Sequence, residues 1–511
     1  MRLLTTPHAA AQWLRQAASG SLQSDSRQVT AGDAFLAWPG GTSDARQYVA
    51  AALGLGAAAC LVEQDGVDAF HWMDTRVAAY AGLKADSGAI AAEFFGYPSQ
   101  ALAIAAVTGT NGKTSTAWWL AQALSALPGP MAVPCGVIGT LGVGRAPTAG
   151  QAPSTEELAL VPTGFTTPDP VLLQKTLREF VASGLRACAM EASSIGLEEQ
   201  RLNGTRIQVA IFTNFTQDHL DYHGSMQAYW ASKARLFAWP GLQRAVVNID
   251  DNQGAELATM LVARGLEVWT TSTRQDARLV AREIRYAQQG LQFEVHEGAQ
   301  HYAVATRMIG TYNVANLLGV IGALRVQGVA LADAVAVCAD LHPVPGRMEC
   351  LAEPDAPLVA VDYAHTPDAL GQALDALRSL AVQRGGKLWC VFGCGGDRDN
   401  AKRPMMGALA AQKADQIIVT SDNPRSEKPE AIIAQILLGM PPCSAVQVQS
   451  DRAQAIAHAI AQAGVNDVIL LAGKGHETTQ EVAGRKISFS DRVHAGAALA
   501  LRKVAAVGGA V

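Results

Sequence analysis

The stretch that most constrains this chain is AAVTGTNGKTSTAW, residues 105–118, where a short apolar run breaks into Gly109, Gly112, Lys113 and Thr114 ahead of a helix-forming segment. Residues 102–107 read as a strand, because a brief apolar run ending at glycine suits a strand buried on both faces. The glycines let backbone N–H groups approach a polyanion, and the helix that follows turns its positive end toward the same charge. Lys113 is placed to meet β- and γ-phosphates, and the Thr114 hydroxyl a Mg²⁺ ion. The spacing departs from G-x-x-x-x-G-K-[ST], since Val107 stands where the first glycine would be.

At 511 residues, 49% hydrophobic and 17% charged, the chain has the length for about two to four globular domains. A net charge of −5 argues against a general nucleic-acid surface, so any basic site must be local. Cys60, Cys135, Cys188, Cys338, Cys350, Cys390, Cys394 and Cys443 are scattered without a C-x-x-C pair, which suits buried thiols in a reducing compartment. The N-terminal segment lacks a signal peptide's apolar core, and no stretch of about 18 apolar residues follows. A cytoplasmic protein with small-molecule partners, no nucleic acid, no membrane and no obligate oligomer, hence a monomer, is the expectation.

Residues 1–97 carry short alternating elements: a turn, a strand and a glycine turn over 25–41 that closes on Gly41, a helix over 48–55 and a strand over 58–62. Ser24, Asp25, Ser26 and Arg27 cluster at the first loop, either as a diphosphate grip or as a helix cap with surface charges. Gly96 and Pro98 mark a junction, and a central domain spans 98–345. Within it, strands over 187–190 and 209–213 end at Glu191 and Asn214. Strands alternating with helical patterns imply a parallel sheet covered on both faces, with its ligand at the strands' carboxyl ends. Gly109, Glu191 and Asn214 all fall there, which makes Glu191 a candidate Mg²⁺ ligand beside Thr114.

His219 and His223, four apart, would share a helix face as in a zinc site, yet no third ligand is recognisable nearby. A Mg²⁺ site with His219 agrees better with phosphate chemistry. Lys233, in YWASK, reads by itself as a solvated helix lysine. To react with CO₂ it would have to be neutral, roughly 3 pH units and about 4 kcal/mol away from its ordinary state at neutral pH. A strand over 244–249, a strand-rich passage over 281–304 and an apolar helix headed by Asn313 and Asn316 complete this domain; one asparagine serves as cap and the other is free to meet a base.

The last domain, 346–511, follows a Pro/Gly linker and alternates again, with strands over 358–362, 387–392, 416–419 and 468–472. Each leads into a polar or glycine loop, and these loops carry Arg398, Asp422, Arg425 and Glu477. Cationic and anionic groups together suit a zwitterion, because Arg grips a carboxylate at two points and Asp or Glu takes an ammonium. The glycine loop after Phe392 is not a dinucleotide fingerprint, because Arg398 stands where G-x-G-x-x-G needs its last glycine. A nucleotide grip facing such a pocket suggests activation of a carboxylate for attack by an amine.

The motifs GTNGKT (109–114), EASS (191–194), NFTQDHLD (214–221), GRME (346–349), DYAHTPD (362–368), GCGGDRD (393–399) and DNPR (422–425) together resemble those of the Mur ligases, over residues 25–491. The resemblance implies an α/β protein of three domains: a central P-loop, parallel-sheet ATPase domain between a small N-terminal UDP-binding α/β domain and a C-terminal Rossmann-like domain. It implies an ATP-dependent amide ligase of peptidoglycan precursor synthesis, working through an acyl phosphate and a tetrahedral intermediate with two Mg²⁺ ions. Lys113, His219 and a carbamylated Lys233 would be catalytic. Thr114 and Glu191 would serve one Mg²⁺, His219 and Lys233 the other. Gly109, Thr110, Asn111, Gly112, Lys113, Thr114 and Ser115, with Asn316, Arg347 and Asp362, match nucleotide-contacting positions. Ser26 matches the uridine-diphosphate loop, and Thr166, Thr167, Ser193 and Arg201 match positions holding the muramoyl peptide. Arg398, Asp422, Asn423, Arg425, Gly473 and Glu477 match those that select the incoming amino acid. The DNPR form goes with members that add meso-2,6-diaminopimelate, whose second carboxylate Arg425 would pair and lysine lacks.

Two positions depart from the family pattern: Ile195 replaces a common histidine and Glu199 a common glutamine, the latter at a muramoyl-peptide contact. Three other readings share some of these features: a lysine-adding homologue, a folylpolyglutamate synthase and a nucleotide-binding protein without ligase activity. The Asp-Ser-Arg opening and the DNPR loop speak against the folate enzyme, and the mixed-charge loops against the non-catalytic protein.

Overall fold

Runs of small and β-branched residues form the interior strands of three separate sheets in the computed structural model, which describes residues 1–40, 43–147, 160–287, 290–441 and 445–508. Gly41 and Cys443 lie outside the described residues. The first sheet is parallel, in the order Arg2–Leu4, Val77–Tyr80, Ala59–Glu63, Ala34–Ala37, Leu22–Gln23. The central sheet has a parallel middle running Leu279–Ala287, Glu267–Ser272, Arg244–Asn248, Val209–Phe212, Ala103–Thr108, Ala187–Glu191, Cys135–Gly139, with antiparallel strands at both edges. In the third, Leu358–Asp362, Val468–Ala472, Leu388–Phe392, Gln416–Val419 and Val446–Val448 are parallel, and Glu349–Leu351 is an antiparallel edge. The strands read from the apolar runs are present, shifted by at most a residue or two, whereas Arg2–Leu4, Leu22–Gln23, Val77–Tyr80, Cys135–Gly139, Glu267–Ser272, Glu349–Leu351 and Val446–Val448 were not expected.

Sheet order does the positioning. Ala103–Thr108 lies between Val209–Phe212 and Ala187–Glu191, so the loops that begin at Gly109, Asn214 and Glu191 emerge side by side. The helix after the glycine loop, Lys113–Ala126, is apolar on nearly every face and buries Trp118 and Trp119 in one cluster with the equally apolar helix Tyr312–Val326. A helix hydrophobic all round belongs inside a domain. The Trp119 indole donates to the His342 carbonyl at 2.9 Å, which pins the start of the linker to the central core.

Short polar contacts stitch the sheets' domains together. Ser24 Oγ donates to Asp169 Oδ1 at 2.7 Å, and Asp169 also caps the helix Pro170–Ala182. Lys84 pairs with Glu199 at 2.6 Å. On the other side, Asn111 Nδ2 in the glycine loop donates to Asp368 Oδ2 at 2.9 Å. No helix among the described residues is long and apolar enough to cross a membrane.

Beneath the third sheet's loops lies an ion pair with no exposed side-chain surface. Arg452 Nε and Nη2 bond the two Asp491 oxygens at 2.7 and 2.6 Å. The same guanidinium donates to the carbonyls of Ser421 and Ala472, the residues just before Asp422 and Gly473. Removing one partner strands a buried charge, at a cost of roughly 3–5 kcal/mol. Asp491→Ala should therefore lower the unfolding free energy of the C-terminal domain by several kcal/mol, read as a lower urea midpoint, while the P-loop domain still binds nucleotide. A midpoint unchanged in urea titration would show the pair to be incidental.

Candidate active site

The glycine loop is held too closely for any side chain at its first turn. Gly109 has φ 149°, and a Cβ there would lie 1.9 Å from Thr213 Oγ1. At Gly112, with φ 83°, a Cβ would lie 2.2 Å from Asn316 Oδ1. Asn214 braces the loop from the neighbouring strand: its carbonyl accepts Thr110 N–H at 2.8 Å and its Oδ1 accepts Asn111 N–H at 2.9 Å. Lys113 Nζ donates to the carbonyls of Gly109 and Thr110 at 2.9 and 2.8 Å, inside a cavity of about 740 Å³ that the whole loop from Thr110 to Ser115 lines.

Lys233 is not a solvated helix lysine. It is 1% exposed, donates to the same Gly109 carbonyl at 2.7 Å and sits 4.3 Å from the Tyr229 ring centre. Burial, reinforced by the charge on Lys113, pushes its pKa well below the ordinary lysine value. Burial likewise lowers Lys113. Such desolvation favours the neutral amine.

Glu191, also 1% exposed, accepts Thr140 N–H at 2.7 Å and the Thr140 hydroxyl at 3.2 Å. Thr140 went unnoticed in the sequence, although it follows the strand Cys135–Gly139 and so sits at a carboxyl end like the others. His219 and His223 do not share a helix face. His219, at φ 53°, precedes the four-residue helix Leu220–His223 and turns toward Asp218, with Nε2 at 3.5 Å from Oδ2, whereas His223 Nε2 pairs with Ser194 Oγ at 3.0 Å. Burial pushes the Asp218 carboxyl up, but His219, His365 and Lys402 more than offset this and hold it at about 2.

Thr114, Glu191, His219 and Lys233 all line the one cavity. No cluster of three His, Cys, Asp or Glu side chains among the described residues could cage a metal. That donor set fits Mg²⁺, which takes one or two protein oxygens and completes its shell with water and substrate phosphates.

From the C-terminal side, Arg347 Nη2 donates to Thr114 Oγ1 at 3.0 Å, and the guanidinium stacks 4.4 Å from the Tyr363 ring centre. Burial raises the Asp362 pKa, and its Oδ2 accepts Met348 N–H at 2.7 Å, fixing the linker. Neither asparagine caps the helix Tyr312–Val326: Asn313 Nδ2 donates back to the Ile309 carbonyl at 2.7 Å, and Asn316 Nδ2 donates to Asn313 Oδ1 at 3.0 Å. Asn316 Oδ1 thereby faces Gly112.

Thr166, Thr167, Ser193 and Arg201 lie close to one another, with Thr166 Oγ1 3.0 Å from Thr140 Oγ1. Thr167 Oγ1 donates to the Glu191 carbonyl at 2.8 Å and lies 3.1 Å from Ser193 Oγ, while Arg201 Nη1 donates to the Thr167 carbonyl at 3.0 Å. Thr166 and Ser193 line the cavity. Ser26 lies apart in the N-terminal domain, on the 3-10 turn Ser26–Gln28. Arg27 there is tied to Asp25 by a two-point ion pair, its Nη2 at 2.7 Å. Glu199 is turned to Lys84 and to the Tyr222 hydroxyl, so this departure from the family pattern serves a domain seam.

Arg398, Asp422, Asn423, Arg425, Gly473 and Glu477 form a second group that does not line the cavity. Tyr363, which lines the cavity, has its ring against both Arg347 and His476, the latter next to Glu477. Asn423 Nδ2 donates to Glu477 Oε2 at 2.8 Å. Arg425, at φ 51°, donates Nη1 to the Gly396 carbonyl at 2.6 Å, and its backbone N–H bonds the carbonyl of Glu481 in the hairpin Thr479–Val482, Arg485–Ser488. Arg403, 0% exposed and unremarked in the sequence, grips Glu427 at 2.8 Å and the Gly395 carbonyl at 3.1 Å, securing the loop of Arg398. Arg398 itself is exposed.

The tight fit at Gly109 makes a direct prediction. Gly109→Ala should weaken ADP binding at least about tenfold, or about 1.4 kcal/mol, in isothermal titration, with the circular dichroism spectrum retained. Unchanged affinity would remove the loop from nucleotide binding.

Residues 107–324 match the family described as Mur ligase middle domain, and residues 346–475 match the Mur ligase, glutamate ligase domain. The chain is 57% identical over 505 residues to UDP-N-acetylmuramoyl-L-alanyl-D-glutamate–2,6-diaminopimelate ligase of Acidovorax sp. (strain JS42), covering 98% of this chain and 99% of that one. The ligase of the same name from Pseudomonas aeruginosa is 45% identical over 481 residues, covering 94% and 95%. A solved structure of a ligase of that name aligns with a TM-score of 0.62 at 34% identity, over 94% of this chain and 95% of that one. MurF from Thermotoga maritima in complex with ADP shares the fold, with a TM-score of 0.66 at 17% identity over 96% and 98%. With whole-length relatives at this identity, a P-loop in a parallel sheet and a second α/β domain reaching over it, the chain belongs to the Mur ligase family.

Proposed function

We propose that this protein is an ATP-dependent ligase that joins meso-2,6-diaminopimelate to the D-glutamyl carboxylate of UDP-N-acetylmuramoyl-L-alanyl-D-glutamate, in the cytoplasm, releasing ADP and phosphate. The observation that carries the reading is the seam at the glycine loop. Asn111 meets Asp368, Arg347 meets Thr114, and Tyr363 of the cavity wall contacts His476, the neighbour of Glu477 in the mixed-charge loops. A phosphate grip and a zwitterion pocket on adjoining domains suit carboxylate activation followed by capture with an amine. The names of the full-length relatives support the same substrates.

In this reading the D-glutamyl carboxylate, held near Thr166, Ser193 and Arg201, attacks the γ-phosphorus. The acyl–O–P bond forms as the bond to ADP breaks. The amine of the amino acid then adds to the acyl carbon, and the tetrahedral adduct expels phosphate as the amide forms and the amine's proton leaves. Lys113 moves its ammonium from the loop carbonyls to the phosphoryl oxygens, so the chain's contribution is chiefly positioning and preset charge. Mg²⁺ held by Thr114 and Glu191, and by His219 with Lys233 as a carbamate, would neutralise negative charge on the phosphates. The carbamate forms when CO₂ adds to the neutral Lys233 amine with loss of a proton, a reaction that its burial favours. Asn316 and Asp362 border the nucleotide's side of the cavity, and Ser26 is assigned to the uridine diphosphate.

In the amino-acid loops, Arg425 spends Nη1 on the Gly396 carbonyl and has Nε 3.9 Å from Glu481 Oε2, and Nη2, which makes no hydrogen bond among the described residues, is left for the second carboxylate of diaminopimelate. Phosphate release from ATP with the UDP-muramoyl dipeptide should require meso-diaminopimelate and fail with L-lysine or with no amino acid. Arg425→Lys should raise the KM for diaminopimelate far more than that for ATP, since an ammonium lacks the two-point grip. Release with lysine would make this a lysine-adding homologue, and release only with a folate and glutamate would make it a folylpolyglutamate synthase. No release at all would leave a nucleotide-binding protein.

A further inference from the structure

A lysine that the sequence reading passed over is sealed among the amino-acid loops. Lys474 is 0% exposed. Its Nζ donates to Glu477 Oε2 at 2.7 Å and to Asn423 Oδ1 at 3.0 Å. Asn423 returns a bond from Nδ2 to Glu477 Oε2 at 2.8 Å and accepts Glu481 N–H at Oδ1, at 3.0 Å. An ammonium has only donors, so the cation settles which end of the Asn423 amide is oxygen. The three side chains close a triangle in which every group has one possible direction.

The backbone is bent sharply to deliver this lysine inward. Gly473 has φ 118°, and a Cβ there would lie 2.4 Å from Asp422 Oδ2; Gly475 has φ 52°, and a Cβ there would lie 2.6 Å from the Gly346 carbonyl. A buried ammonium is tolerated only where its donors are satisfied. Here the satisfying groups are two of those assigned to the incoming amino acid. Glu477 is half-buried and spends one oxygen on Lys474 and Asn423, and among the described residues Oε1 takes no hydrogen bond.

We propose that Lys474 is a positioning residue for the amino-acid substrate: it clamps one Glu477 oxygen and the Asn423 amide so that the other Glu477 oxygen meets the substrate's ammonium group in a fixed direction. The proposal rests on reading these loops as the amino-acid site. By pairing with Glu477, Lys474 also removes its net charge, so the ammonium is chosen by hydrogen-bond direction together with Asp422, not by bulk attraction.

Two variants test it. Lys474→Met keeps the apolar stem and removes the ammonium; Lys474→Gln keeps a donor without the charge. Steady-state phosphate release should show the KM for diaminopimelate raised at least about tenfold in Lys474→Met, and less in Lys474→Gln, with kcat and the KM values for ATP and the UDP-dipeptide nearly unchanged. Combined with Glu477→Gln, Lys474→Met should add little further loss, because both act through one carboxylate. A merely structural lysine would lower kcat through loss of folded enzyme, or shift every KM alike, and either result overturns the proposal. So does an unchanged KM for diaminopimelate. If Lys474→Met fails to bind ADP, Lys474→Gln decides by the same criteria. A wild-type enzyme that shows no amino-acid-dependent release would overturn the ligase reading and this one together; a responsive wild type with an indifferent variant overturns this one alone.

Discussion

Two lysine side chains, Lys113 and Lys233, converge on the single carbonyl oxygen of Gly109. The first opens the helix after the glycine loop and the second belongs to a helix more than a hundred residues further on, Met226–Ala234, so the loop is fastened by two separate segments of the central domain. Burial lowers the pKa of each, and the charge on Lys113 further disfavours that on Lys233. With Arg347 added from the next domain, the cavity concentrates positive groups that water does not fully solvate, an environment in which a polyphosphate gains far more than at a surface. The close approach of Gly109 to Thr213 is part of the same constraint, because it sets the spacing of the two strands whose ends carry the loop and Asn214.

The domains are joined by few but specific contacts, and these fall at the edges of the substrate groups. Asp169 both caps the helix after the Thr166–Thr167 loop and receives Ser24 from the N-terminal domain. Asp368 begins the helix Pro367–Arg384 and touches the glycine loop through Asn111. Contacts of this kind can break and re-form as domains move, since each involves one or two hydrogen bonds at a partly wet surface.

The sequence made the central features readable because they rest on local rules. Apolar runs ending at glycine or acidic residues became the strands leading to Gly109, Glu191 and Asp362, since burial on both faces of a parallel sheet leaves such runs unbroken. What stayed hidden depends on tertiary partners. YWASK carries nothing that distinguishes Lys233 from a surface lysine; only the packing of its helix against the loop buries it. One of Asn313 and Asn316 was expected to cap because asparagine at a helix start usually does, but the Ile309 carbonyl takes the Asn313 amide and Asn313 Oδ1 takes that of Asn316. Lys474, Arg403 and Arg452 were invisible for the same reason: charged residues are rarely fully buried, and their partners Glu477, Glu427 and Asp491 are known only once the chain is folded.

The pair formed by Arg452 and Asp491 links the floor of the amino-acid loops to the first residue of the last helix, Asp491–Gly508. The glycine loop with Lys113, Glu191, Asn214, Lys233 and Asn316 lies in the first two thirds of the chain, and Arg347, Asp362 and Tyr363 line the same cavity from beyond it. On the function proposed above, the last helix is therefore what holds the amino-acid loops in place, so the two ends of the reaction are secured by segments far apart in the chain: the phosphate grip by the strand Ala103–Thr108 and its neighbours, the amino-acid loops by Asp491.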